Sequence, residues 1–167
     1  MSQSFQVIVV AFFFSLVFGV ATYVSAFEPS VFTSQSDVSL QVQIESLVNK
    51  ERVRAGVEML ATDPALTVIA QKKADAMAIS GEFSHTLSGG TTSWSLFKDA
   101  EYTFLAAGEN LAVCFETADA VVEAWYNSPT HQANLISDAY TVSGIGIRRG
   151  TYDGFSCYFI VHLFARP

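Results

Sequence analysis

Residues 155–164 are apolar on both sides of what must be an extended segment, and this constrains the fold more than any other stretch. At the two-residue period of a strand, Phe155, Cys157, Phe159, Val161 and Leu163 fall on one side, and Tyr158, Ile160, His162 and Phe164 on the other. A strand apolar on both faces needs a covering layer over each. The expected class is α+β, a three-layer αβα sandwich around a central, mainly antiparallel sheet. Ser143-Gly144-Ile145-Gly146-Ile147-Arg148 reads as the neighbouring strand, joined to the last across residues 150–154 as a hairpin. Leu111-Ala112-Val113 reads as a further strand, with Glu109 at its start.

The covering layers come from amphipathic helices. Leu40, Ile44, Leu47, Val48 and Glu51 follow helical spacing, with Asp37 or Ser39 as the N-cap and Gly56 as the stop. Asp63-Pro64 opens a second helix, a cap followed by proline at the first helical position. Its stripe of Leu66, Ile69, Ala70, Ala74, Met77 and Ala78 runs to Gly81, and the small alanines predict close packing against the sheet. Thr117 opens a third, with Ala118, Val121, Val122 and Trp125 on one face, and Ser128-Pro129 ends it and caps a fourth at a helix-helix corner.

The chain of 167 residues has room for one domain, since single cores span about 100 to 200 residues. Residues 1–26 hold no Lys, Arg, Asp or Glu and end in Val24-Ser25-Ala26. They read as a signal peptide cut after Ala26 or as an uncleaved membrane anchor, because the apolar run of about 20 residues is also long enough to span a bilayer. Residues 27–37 read as a linker and 38–167 as the domain, which either route places outside the cytoplasm. The net charge of −7 argues against a nucleic-acid partner, which would need clustered Lys and Arg. The basic pairs Lys72-Lys73 and Arg148-Arg149 read as solvated surface. Cys114 and Cys157, an even pair in an exported chain, are expected to form a disulfide, against two separate buried thiols.

The candidate chemistry lies in three places. His85 follows the second helix in a loop. Glu109 sits between Gly108 and Asn110. His131 stands in the first turn of the fourth helix, where the helix dipole disfavours imidazolium. Two imidazoles and a carboxylate suffice to hold a divalent metal, with water in the open position, but the residues alone leave open whether they share one site. His162 reads as a hydrogen-bonded core or cleft-edge residue. Trp125 and Tyr126 read as helix packing, and Asn110 as a support that bonds backbone near the site.

Several motifs together resemble the CAP superfamily of cysteine-rich secretory, antigen 5 and pathogenesis-related 1 proteins, also called the SCP domain, in its compact bacterial form. They are Asn49-x-x-Arg52-x-x-x-Gly56-x-x-x-Leu60, Phe83-Ser84-His85, Gly108-Glu109-Asn110-Leu111-Ala112, the run Trp125-Tyr126-Asn127-Ser128-Pro129-Thr130-His131-Gln132-Ala133-Asn134-Leu135, and Gly144-Ile145-Gly146-Ile147. The resemblance implies an αβα sandwich with a large cleft and a tetrad of two His and two Glu able to bind Zn or another divalent ion. His85, Glu109 and His131 match three of the four. In animal relatives a glutamate stands three residues after the motif tryptophan, where this chain has Ser128, and Glu123 belongs to another helix face. The resemblance thus implies a cleft of His85, Glu109, Asn110, Ser128 and His131, with His85, His131 and Glu109 as the metal ligands.

Three functions follow. The favoured one is a non-enzymatic, monomeric exported domain whose cleft binds a divalent metal, an apolar ligand or a cell-envelope component, with the membrane met only through the N-terminal segment. The second is a metal-dependent hydrolase or peptidase in which Glu109 is ligand or general base. The third is a structural or adhesion role in the envelope.

Overall fold

The computed structural model describes residues 34–167. Residues 1–26, read as a signal peptide or membrane anchor, and residues 27–33 of the linker lie outside the described residues. Helix α1 (Gln35–Arg54) already starts within the stretch read as linker. Its N-cap is Ser34 rather than Asp37 or Ser39. Ser34 accepts from the Asp37 backbone and Asp37 answers from the third helical position, a reciprocal capping box that sets the start upstream of the apolar stripe.

After α1 come β1 (Ala61–Thr62), α2 (Pro64–Ser80), α3 (Ser93–Asp99), β2 (Ala106–Val113), α4 (Ala118–Tyr126), α5 (Pro129–Leu135), β3 (Val142–Tyr152) and β4 (Phe155–Arg166). The sheet order is β1-β3-β4-β2. The β3–β4 and β4–β2 pairs are antiparallel and β1–β3 is parallel, so the sheet is mixed and mainly antiparallel as expected. The β3–β4 hairpin turns at Asp153-Gly154, both with positive φ (48° and 83°), the geometry that matches strand twist in a two-residue loop. Sequence reading missed α3 and β1. α3 buries only Ser93 and Phe97, and β1 is two exposed residues long.

Each face of β4 has its own layer. Phe159, Val161 and Leu163 pack with Leu66, Ile69, Ala70, Ala74 and Met77 of α2 and with Phe97 of α3. Tyr158, Ile160 and Phe164 pack with α1, α4 and α5 through Leu40, Ile44, Val48, Val121, Trp125 and Leu135. The three-layer sandwich therefore forms as the two-faced strand requires. α2 lies so close to β3 that a Cβ on Gly146 would stand 2.2 Å from the Ala70 carbonyl carbon, which explains the alanine stripe of α2. The outer edge of β3 is closed by a side chain. The Gln71 amide donates to the Ile147 carbonyl at 2.8 Å and accepts its N–H at 3.0 Å.

Two motif residues are structural. The Asn49 side chain pairs with both backbone groups of Leu60 (2.8 and 3.0 Å). Arg52 is buried and donates to the carbonyls of Glu58, Leu135, Ser137 and Tyr140 at 2.7 to 3.4 Å. Burial pulls its pKa down, partly offset by Asp138. Cys114 and Cys157 are bonded, tying the end of β2 to β4 across a separation of 43 residues.

Candidate functional site

β2 is an edge strand, and the site wraps around it. Alternation along the strand explains the Gly108-Glu109-Asn110 motif, because successive side chains leave on opposite faces. Glu109 points to the α2/α3 layer. Gly108 and Asn110 point to the α5 layer, where a Cβ on Gly108 would stand 2.5 Å from the Tyr140 hydroxyl.

On the first side, Glu109 is buried and both carboxylate oxygens are engaged. His85 Nδ1 donates to Oε1 at 2.5 Å, and the Ser93 hydroxyl donates to Oε2. The His85 side chain is 65% exposed against 5% for Glu109, so the carboxylate orients a ring that reaches outward. Ser93 is a site residue that sequence reading missed, since a serine opening a short helix carries no local signal of a buried carboxylate partner.

The loop carrying His85 is anchored by Lys73, which the sequence suggested was solvated. Lys73 is fully buried, and its Nζ donates to the carbonyls of His85 (2.9 Å) and Thr91 (3.3 Å). Burial pulls its pKa down, opposed by the charges of Glu109 and Glu82. The loop folds back over the α2 face that Lys73 occupies, a non-local event. Arg148 and Arg149 are partly exposed, with Arg149 paired to Glu116 at 3.1 Å and stacked 4.0 Å over Tyr158.

On the second side, α5 presents His131. Its Nδ1 lies 2.8 Å from the Ser128 hydroxyl. Asn110 Nδ2 donates to the His131 carbonyl at 3.0 Å, and Asn134 donates to Asn110 Oδ1 at 2.9 Å. Asn110 is fully buried, so it supports the site from beneath. Burial lowers the His131 pKa, and the charge of His85 lowers it further. The neutral imidazole expected from the helix dipole is thus favoured chiefly by desolvation.

His85 and His131 both line a cleft of about 540 Å³, together with Ser84, Ser128 and the apolar side chains of Phe83, Leu111, Val113, Phe115 and Trp125. Glu123 lies instead in the groove between α4 and α1 with Glu51 and Tyr126. Trp125 is both core and cleft wall, and its Nε1 donates to the Leu111 carbonyl at 2.9 Å. His162 lies in the core between Trp125 and Phe164 rather than at the cleft edge, and neither ring nitrogen has a hydrogen-bond partner among the described residues. The expected hydrogen bond is missing because the ring sits among aromatic side chains. Burial, reinforced by Arg52, pushes its pKa down to about 3.

His85, Glu109 and His131 do not form a three-residue metal-ligand group among the described residues. Glu109 is turned to His85 and Ser93, which makes it the orienting partner of an imidazole rather than a free donor. What remains facing the cleft is a pair of imidazoles, one steered by a carboxylate and one by a hydroxyl.

An αβα sandwich with a cleft at the β2 edge, lined by histidines from the α2–α3 loop and from α5, defines a class of domain. The chain belongs to the cysteine-rich secretory protein (CAP) family, whose model matches residues 45–164. It is 30% identical over 104 residues to the uncharacterized protein YkwD of Bacillus subtilis, covering 62% of this chain and 40% of that protein. It is 31% identical over 110 residues to the uncharacterized membrane protein YlbC of the same bacterium, covering 66% and 32%. Among solved structures, an extracellular SCP-domain protein of Bacillus anthracis is similar with a TM-score of 0.66 and 28% identity, over 78% of this chain and 41% of that one. An outer surface protein of Borrelia burgdorferi is similar with a TM-score of 0.62 and 28% identity, over 74% and 89%. The chain spans less than half the length of the two Bacillus subtilis relatives.

Proposed function

We propose that this CAP domain works outside the cytoplasm as a binding module, and that the cleft at the β2 edge takes a small amphipathic molecule such as a lipid or another envelope component. The observation that carries this reading is the composition of the cleft. It is lined mostly by apolar and aromatic side chains, joined by the polar groups of Ser84, His85, Ser128 and His131. Its volume falls in the range of about 300 to 1,000 Å³ usual for small-molecule sites, which combine apolar walls with a few placed polar groups. The extracytoplasmic setting is supported by the uncharged first 26 residues, by the Cys114–Cys157 bond, and by relatives described as extracellular or membrane proteins.

The test is native mass spectrometry of the full chain with dodecanoate and with dodecanol. A one-to-one complex is expected with at least one of them, weakened at least tenfold by Phe115→Ser. No complex with either probe rejects the reading.

A second reading is a divalent ion held between the two imidazoles, with Glu109 orienting His85. It is favoured by His85 lying close enough for its charge to act on His131. Metal analysis of natively purified protein decides it. A stoichiometric ion lost in His131→Ala supports this reading, and a metal-free preparation that takes up no Zn rejects it.

A further inference from the structure

We propose that Ser128 and His131 form a nucleophile–base pair that hydrolyses carboxylic esters whose apolar acyl portion lies along the aromatic wall of the cleft. The proposal rests on the cleft binding an amphipathic molecule and adds a reaction to it.

Ser128 occupies the N-cap of α5, yet its side chain makes no capping hydrogen bond. A serine in that position ordinarily gives its oxygen to a backbone N–H of the first turn. Here the hydroxyl is 2.8 Å from His131 Nδ1, the separation at which an imidazole can take a hydroxyl proton as the oxygen attacks.

The pair is held from both sides. Pro129 fixes the first helical residue between the two partners. The His131 carbonyl is gripped by Asn110, and Asn110 by Asn134. The nucleophile lines a cleft whose other lining side chains are mostly apolar and aromatic, so an acyl chain on the aromatic wall brings its carbonyl carbon toward Ser128. His85, oriented by Glu109, lines the same cleft and serves as a hydrogen-bonding group for the carbonyl oxygen.

The geometry favours esters over amides. Among the described residues the His131 ring is hydrogen-bonded only to Ser128, so no carboxylate steadies the imidazolium formed during attack. An alkoxide leaves without the full proton delivery that an amine requires.

The reaction balances with water as the only co-reactant. Ser128 Oγ bonds to the acyl carbon and its proton passes to His131 Nδ1. The carbon–alkoxy bond then breaks and the leaving oxygen takes that proton. Water attacks the acyl-serine, giving a proton to His131, and the departing Ser128 oxygen recovers it. The net change is ester plus water to carboxylic acid plus alcohol.

The test treats the full chain with dodecyl fluorophosphonate, maps the adduct by peptide mass spectrometry, and follows p-nitrophenyl octanoate turnover. The expected result is one adduct on Ser128 and measurable turnover. Both are abolished by Ser128→Ala and fall at least 100-fold in His131→Gln, while the wild-type chain binds dodecanoate or dodecanol. The position of the wild-type adduct decides the matter whether or not either variant folds. An unlabelled Ser128 overturns the hydrolase, as does turnover that survives Ser128→Ala. If dodecanoate or dodecanol still binds in that case, the binding reading stands alone. If neither probe binds, the binding reading fails as well.

Discussion

The two faces of the sheet are built in opposite ways. Toward α2 the strands are shaved down, so that the helix backbone lies almost against β3 at Gly144 and Gly146. Toward α1, α4 and α5 the layer is filled by large rings and by buried polar groups, including Trp125, Phe164, His162, Asn110 and Arg52. The first face is steric where α2 crosses β3, and it buries Lys73, Ser93 and Glu109 beside that contact. The second holds Arg52 and Asn110 through hydrogen bonds and encloses His162 among rings. The cleft opens at β2, where both faces end, so each contributes one histidine held in its own manner.

The comparison breaks most completely if a side chain is placed on the steric face. Gly146→Val should prevent α2 from docking and abolish cooperative unfolding, with a cost of about 3 kcal/mol or more. A native-like melting curve for this variant would show that the close approach is dispensable.

The corresponding test on the other face is Arg52→Met, which leaves several carbonyls without their donor. A loss of about 3 kcal/mol in urea unfolding is expected. A loss below about 0.5 kcal/mol would mean that the bonds to Leu135 and Ser137 contribute little. Reducing Cys114–Cys157, which joins β2 to the strand shared by both faces, should cost about 2 to 4 kcal/mol, read as the shift between oxidised and reduced melting.

Smaller effects separate support from chemistry. Lys73→Met should cost about 1 to 2 kcal/mol and release the loop of residues 82–92, seen as faster amide exchange there while α5 is unchanged. Unaltered exchange in that loop would remove Lys73 as its anchor.

His162→Leu should change stability at neutral pH by less than about 1 kcal/mol, because the ring has no hydrogen bond to lose. Its signature is in acid. The folded-state pKa of about 3 lies below the unfolded value near 6.5, so the unfolded chain binds the extra proton. Stability contributed by the neutral ring is complete above the unfolded pKa and declines as pH falls toward 3, by up to about 1.4 kcal/mol per pH unit. His162→Leu should flatten that part of the stability curve, and an unchanged acid limb would reject this origin.

Much of the steric face was legible in the sequence. The two-sided strand, the Asp63-Pro64 opening of α2 with its alanine stripe, and the glycines of β3 are local signals, and they agree with one another. The buried polar groups of both faces were legible only in part. Alternation explains why Glu109 and Asn110 diverge, but the burial of Lys73, the grip of Ser93 on Glu109 and the solitude of His162 arise from segments distant in sequence. Lys72-Lys73 resembles any solvated helix face until the His85 loop covers one of the two. The resemblance to the CAP family brought His85, Glu109 and His131 together in one cleft, while the commitment of Glu109 to His85 and Ser93 needed coordinates.

The outward edge of β2 carries a last consequence, for association between chains. Register places Ala107, Glu109 and Leu111 with their backbone groups turned away from β4, as on any edge strand open to recruiting another. Their carbonyls are already addressed by the Tyr140 hydroxyl, the Asn134 amide and the Trp125 indole. A second copy seeking to extend the sheet would have to displace three side chains, of which Trp125 also lines the cleft. These contacts leave an incoming strand no free row of acceptors at Ala107, Glu109 and Leu111.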